Sequence, residues 1–354
     1  MKEINEMEKK EKVEDLLGAG IIRIAQRPPK NPKEIPKNGP LSLFLMREDY
    51  PGLTPAMWNA VAERTGQGFS MVMVVAKQED LAQILATLRV DKRLRGGVFG
   101  IGFKDQAVLQ MNDSQVPNEG KLDSLGDTIT QVSGAANVFT KNENGEFVGY
   151  NTDSLGFLRS LKERMKDLDL GSLDSKKILV LGAGGAGAAI SFLLPQEGAR
   201  VVILNRTVQK AENIAERINK HYEREVAISG GEDLIPEEMS KTDVVVNTSE
   251  KGASGSFEDF TAFSPAGGDW TLEKNLQNSE TVLKTAKSGL LVCDIVLREK
   301  DTPTIAIAKR FGFKTLDGKP MVLYQAIPAI KLVFPILSAV SDSQIEDIMR
   351  QAQK

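Results

Sequence analysis

The sequence holds one cysteine, one histidine and two tryptophans among 354 residues. A single thiol, Cys293, excludes a disulfide framework and a cysteine-based zinc site. A single imidazole, His221, excludes clusters of histidine ligands, so no metal site is expected. Any Ser-His-Asp or Cys-His mechanism would have to use it. There is no excess of one charge: Lys and Arg total 45 against 48 Asp and Glu, a net charge of −3. That excludes the broadly basic surface with which proteins neutralise nucleic-acid phosphates. Uncharged apolar runs of about eighteen residues are absent, so no membrane span is expected. Met1–Asp15 is charged throughout and lacks the apolar segment of a signal peptide. A cytoplasmic location is the expectation, and one free thiol is consistent with it. What is present is ordinary for a globular protein, 41% hydrophobic and 26% charged, and the length suits two domains.

Residues 1–40 read as an appended arm and linker, a charged helix over Met1–Leu17 followed by Pro28, Pro29, Pro32, Pro36 and Pro40. From Leu41 onward apolar runs and turn residues alternate. Leu41–Met46, Phe69–Val75 and Gly97–Phe103 read as strands, and Asn137–Thr140 with Glu146–Tyr150 as a hairpin. Thr54-Pro55 opens a helix with Thr54 as N-cap, and Glu79–Arg89 has apolar residues at helical spacing. A second region alternates more regularly. Lys177–Leu181, Arg200–Leu204, Val226–Ser229, Val244–Val246 and Leu290–Val296 read as strands, with helices after Gly187, over Val208–Tyr222 and from Thr304 to Phe311. Part of the stretch from Gly252 to Gly289, Leu272–Lys287, also reads as helical. The alternation predicts an α/β fold with a parallel, doubly wound sheet.

Gly182-x-Gly184-x-x-Gly187 follows a strand and opens a helix, the setting of a dinucleotide-binding loop. Gly182 allows the tight turn, Gly184 the approach of a pyrophosphate, and Gly187 close helix packing. Gly185 and Ala186 complete the loop at the positive end of the helix. The next strand ends in Asn205-Arg206-Thr207, with Lys210 following. An NAD site places an acid there for the ribose 2′-hydroxyl; here a guanidinium is available for a 2′-phosphate instead. The cofactor expected is NADP(H).

The chain resembles the shikimate dehydrogenase family over about residues 41–335. The likeness is carried by Ser133–Asn137, by Gly149-Tyr150-Asn151-Thr152-Asp153-Ser154-Leu155-Gly156-Phe157, by the glycine loop with Asn205-Arg206-Thr207, by Val246–Ser249 with Gly252, and by Gly318–Gln325. The resemblance implies a substrate-binding domain of residues 41–153 plus 325–354, a Rossmann-type NADP-binding domain of residues 154–324, and an active site in the cleft between them. It implies reversible NADP-dependent interconversion of a ring ketone and a secondary alcohol, 3-dehydroshikimate and shikimate in the family. Lys104 and Asp153 match the catalytic pair. Thr54, Asn137 and Gln325 match substrate-binding residues, and Asn247 is placed with the cofactor-binding set. A lysine that protonates the forming alkoxide, held by an aspartate, suits this chemistry and is worth roughly 10²–10⁴ in rate. A monomer or homodimer acting on a small polyhydroxy ring is expected, with neither nucleic acid nor membrane as partner.

The departures concern the family's grip on the substrate carboxylate, which uses an S-x-S-P motif and a tyrosine in D-x-V-Y. Here the motif is Gly52-Leu53-Thr54-Pro55, the tyrosine position is Leu297, and a further family threonine is Gly100. Two of three donors are replaced, which predicts a changed ring substrate, poor use of shikimate, and recovery of that use in Gly52→Ser with Leu297→Tyr. A non-catalytic NADP(H)-binding sensor is the alternative, and it predicts decay of Lys104 and Asp153, both of which are present. A glutamyl-tRNA reductase-like enzyme shares the glycine loop and the Asn-Arg-Thr turn but needs a nucleophilic cysteine in its N-terminal domain. Cys293 instead falls in a predicted buried strand.

Overall fold

The computed structural model describes residues 12–266 and 268–353. The chain divides into two compact units, one from residues up to Thr152 and from Ala326 onward, the other Asp153–Gln325. The sequence reading assigned Asp153 and Gln325 to the first; each lies one residue across the division, inside a helix.

The first unit is built on a seven-stranded mixed sheet. Its strands are β1 (Ile22–Ile24), β2 (Leu41–Met46), β3 (Ser70–Ala76), β4 (Leu94–Phe99), β5 (Ser124–Leu125), β6 (Val138–Lys141) and β7 (Phe147–Tyr150), in the order β1-β3-β2-β4-β6-β7-β5. Strand β2 runs parallel to both β3 and β4, and every residue in it is buried. That is why it reads as a continuous apolar run rather than an alternation. The helices here are α1 (Val13–Gly18), α2 (Thr54–Thr65), α3 (Leu81–Val90), α4 (Lys104–Met111) and α5 (Thr128–Ser133).

Three local expectations change. The described part of residues 1–40 is no appended arm. Strand β1 forms the edge of the sheet by pairing antiparallel with β3, and Val13, Leu16, Ile22 and Ile35 enter the core beside Leu81 and Leu85. Arg93 clamps this segment, donating to Glu14 at 2.8 and 2.6 Å and to Asp91 at 2.6 Å. Both carboxyls lie below their ordinary range: the Arg93 hydrogen bond leads for Glu14, while at Asp91 burial opposes hydrogen bonds from Arg93 and Val13. The proline-rich stretch docks through Asn31, whose amide exchanges hydrogen bonds with the Met73 backbone at 3.0 and 2.8 Å. Residues 1–11 of the expected N-terminal helix lie outside the described residues. Second, β4 ends at Phe99; Gly102, at φ +91°, turns the chain so that α4 begins at Lys104. Third, Thr54 is the first residue of α2, and the flanking Leu53 makes no side-chain cap.

The second unit opens with α6 (Asp153–Asp167) and contains a six-stranded, wholly parallel sheet. Its strands are β8 (Lys177–Leu181), β9 (Arg200–Leu204), β10 (Ala227–Gly230), β11 (Val244–Asn247), β12 (Leu291–Asp294) and β13 (Lys314–Leu316), ordered β10-β9-β8-β11-β12-β13. Helices α7 (Gly185–Leu193), α8 (Val208–Tyr222), α9 (Ile235–Met239), α10 (Leu272–Thr285) and α11 (Pro303–Arg310) alternate with them. The strand order reverses between β8 and β11, which places the loops after these strands at the switch point where open α/β sheets bind ligands. Helix α12 (Lys319–Val333) leaves this unit at Gln325, and α13 (Asp342–Ala352) belongs to the first, where Phe334 stacks on Phe69 at 4.0 Å. Among the described residues no helix is long and apolar enough to cross a membrane.

Candidate active site

In the first unit, the loop between α5 and β6 is fixed by paired amides. Asn137 is buried; its Oδ1 accepts from Thr152 N at 2.8 Å and its Nδ2 donates to Thr152 Oγ1 at 3.1 Å. Asn151 Nδ2 donates to Ala135 O at 2.8 Å. These contacts fix the backbone immediately before Asp153. Lys104, at the first position of α4, is held beside the same loop: its carbonyl accepts from Ala136 N at 2.9 Å. Thr54 is buried at the start of α2.

In the second unit, Asp153 begins α6 and is buried. One turn later Gly156 lies against α12. A Cβ there would sit 2.6 Å from Met321 O and 2.7 Å from Gln325 N, so only glycine permits this approach. The crossing sets Gln325 against Gly156 in the first turn of the helix that Asp153 opens. Arg159 over the Tyr324 ring at 4.0 Å and a Tyr324–Glu163 hydrogen bond extend the same contact.

The glycine loop is shaped as the sequence predicts. Gly182 has φ +117°, and a Cβ on it would lie 2.8 Å from Ser249 N. Gly187 is buried against Gly182 O and Thr248 Oγ1. Thr248, which sequence reasoning passed over, donates to Leu181 O and Gly182 O at 3.1 Å each and locks the loop from the neighbouring strand. Gly184 is exposed with nothing near its Cβ position, so the backbone at the head of α7 stays open. Gly185 and Ala186 are half-buried in its first turn.

Asn205 braces this cradle, accepting from Ala183 N at 3.1 Å and donating to Thr207 O at 2.9 Å. Arg206, Thr207 and Lys210 are exposed, with Arg206 over the Phe257 ring at 5.5 Å. Thr207 flanks α8 without a side-chain cap bond, so capping does not occupy its hydroxyl. A pocket of about 390 Å³ opens beside Arg206, lined also by Val208, Glu232, Asp233 and Trp270. Its acidic wall comes from the end of β10, not β9. Glu232 pairs with Lys251 at 2.8 Å, and Lys251 also donates to Ser264 O at 2.6 Å. Burial lowers the Lys251 pKa and Glu232 opposes that shift. Nothing in the local pattern around Lys251 signals that it is buried.

Asn247 ends β11. It is buried, its Nδ2 donates to Lys251 O and Asp294 Oδ1, and its Oδ1 accepts from Ser249. Both ends of the amide bond within the protein, which holds the β11 loop in place. Asp294 also accepts from Thr302 Oγ1 at 2.6 Å and Val296 N at 3.0 Å, yet burial pushes its pKa up to about 6. Cys293 is buried and its thiol pKa is pushed up by desolvation, which removes it as a thiolate nucleophile. Arg298 is pinned to Glu258 through its carbonyl at 2.9 Å and its carboxylate at 3.1 Å.

A parallel doubly wound sheet with a glycine cradle at its switch point is the arrangement of a dinucleotide-binding domain, the class to which NAD(P)-dependent oxidoreductases belong. The sequence profile of the shikimate / quinate 5-dehydrogenase family matches residues 164–252. The shikimate dehydrogenase (NADP(+)) of Aquifex aeolicus strain VF5 is 31% identical over 281 residues, 79% of this chain and 86% of that one. The crystal structure of shikimate dehydrogenase from Aquifex aeolicus superposes with a TM-score of 0.66 at 27% identity, over 90% of this chain and 100% of that one. The 5-ketofructose reductase of Gluconobacter sp. strain CHM43 shares the fold, with a TM-score of 0.63 at 23% identity over 89% of this chain and 99% of that one. The chain belongs to the shikimate dehydrogenase family.

Proposed function

We propose that this enzyme interconverts a ring ketone and a secondary alcohol on a polyhydroxy six-membered ring, using NADP(H). The substrate is shikimate or a relative that differs at the carboxylate position. The observation that carries the reading is the close crossing of α6 and α12 at Gly156, which groups Asp153 with Gln325 in the same unit as the glycine cradle. The first unit supplies substrate recognition through Thr54 and Asn137, and the second the cofactor site.

The cradle fits a dinucleotide: Gly182 and Gly187 have no room for a Cβ, Gly184 is open, and the head of α7 presents free N–H groups to a pyrophosphate. Arg206 and Lys210 would hold the 2′-phosphate, with Thr207 beside them. When bound, the nicotinamide supplies the hydride donor or acceptor. Lys104 donates a proton to the alkoxide oxygen formed on reduction and takes it back on oxidation. Asp153 accepts a hydrogen bond from a substrate hydroxyl.

The test is NADP⁺ reduction measured with shikimate, quinate, aminoshikimate and carboxylate-free cyclitols. Turnover of at least one ring alcohol is expected, with shikimate a poor substrate. Inactivity on every ring alcohol, with NADP(H) still bound, would instead support a cofactor-binding protein without this chemistry.

A further inference from the structure

Two glycines in the first unit, Gly52 and Gly100, stand where the family carries hydroxyl residues, and the space above each is already filled. A Cβ on Gly52 would lie 2.8 Å from both Cζ and Oη of Tyr50. A Cβ on Gly100 would overlap the sulfur of Met46 and come within 3.1 Å of Leu45 O. The two filled spaces lie on consecutive segments. Met46 ends β2; Leu45 O accepts from Gly100 N at 2.9 Å; and Phe103 N closes a turn on Gly100 O at 3.1 Å, directly before Lys104. Tyr50 is half-buried, four residues before Thr54, with its ring edge-on to Phe44 at 6.5 Å and 88°. All of this sits at the C-terminal ends of the parallel strands β2 and β4.

We propose that Tyr50 and Met46 are specificity-determining residues of the substrate site: Tyr50 supplies the hydroxyl that Gly52 lacks, and Met46, itself buried, fills with an apolar side chain the space a hydroxyl residue at Gly100 would take. The inference rests on the functional reading above and narrows its substrate. The wall offers the hydroxyls of Thr54 and Tyr50 to an oxygen on the ring, next to a thioether that offers a ring oxygen only a weak acceptor. A carboxylate and a neutral hydroxyl or carbonyl share the acceptor chemistry that Tyr50 and Thr54 recognise. The proposal runs against the expected rescue. A serine at position 52 would meet the Tyr50 phenol and would have to displace it.

The experiment measures kcat and KM on shikimate and on neutral cyclitols for the wild type, Tyr50→Phe, Gly52→Ser, Gly100→Thr and the double variant Met46→Gly/Gly100→Thr, with thermal melts of each. Tyr50→Phe should raise KM for the best substrate about tenfold with kcat nearly unchanged, and the thermal melt separates any structural cost of losing the hydroxyl. Gly52→Ser should lower kcat/KM on every ring. Gly100→Thr alone should melt well below the wild type, and Met46→Gly should recover much of that loss, the coupling expected of two groups competing for one space. The double variant should then shift the ratio of kcat/KM between shikimate and the best neutral ring at least tenfold. An unchanged KM in Tyr50→Phe, improvement in Gly52→Ser, or an unchanged ratio in the double variant would overturn the proposal while leaving the enzyme reading intact. A wild type inactive on every ring would overturn the functional reading itself, and this proposal with it.

Discussion

In the proposed reaction Lys104 and Asp153 are single residues whose identity the chemistry demands, and each has a structural role that competes with the proposed one: both are the first residue of a helix. The two roles separate kinetically. Lys104→Ala and Asp153→Asn are each expected to lower turnover at least about a hundredfold with NADPH affinity nearly unchanged, and the double variant to be far from additive. Steady-state rates together with NADPH titrations check this; near-normal turnover in either single variant would leave that residue structural. Arg206 is exposed beside an open pocket, so its contribution is a difference between cofactors. NADP(H) should bind at least tenfold tighter than NAD(H), about 1.4 kcal/mol, and Arg206→Ala should remove most of the gap. Equal affinities in the unmutated protein would refute the assignment.

At the scale of elements, the joint between the β11 and β12 loops and α11 depends on a buried carboxyl. Asp294 has its pKa raised from 3.8 to about 6, mainly by desolvation, against opposing hydrogen bonds from Thr302, Val296 and Asn247. The folded state therefore holds this proton more tightly than the unfolded one. Its contribution to stability is full below about pH 4 and is lost as the pH rises through about 6. Asp294→Asn keeps the shape and removes the titration. Relative to this variant, the wild type should lose stability between about pH 4 and 6, read as the difference between their denaturant midpoints. The N-terminal segment makes a second test. Leu16 is 2% exposed within the core of the first unit, so Leu16→Ala should cost about 2–5 kcal/mol, where a loose arm would tolerate it.

At the scale of the molecule, two units with separate cores invite separate unfolding, and a ligand held by one should protect that one. NADP⁺ at a hundred times its dissociation constant should stabilise the second unit by about 2.7 kcal/mol. Hydrogen exchange should slow around residues 182–187 and 205–210. Protection confined to residues 12–152 would contradict the placement of the cofactor.

The sequence determined much of the second unit by itself. Lys177–Leu181, Arg200–Leu204 and Val208–Tyr222 begin and end where the apolar pattern says, because parallel strands buried on both faces and an amphipathic helix write their limits directly into hydrophobicity. The glycine loop was legible because its backbone admits no side chain at Gly182 or Gly187. Long-range packing was not legible. No local pattern shows that residues near Ile22 would join a sheet edge at β3, that Asn247 would spend its amide on Asp294, or that Lys251 would be buried against Glu232. The glycines at 52 and 100 illustrate the limit. In sequence they are lost side chains; only the tertiary structure shows Tyr50 and Met46 in their place, because a space can be filled by any residue whose side chain reaches it.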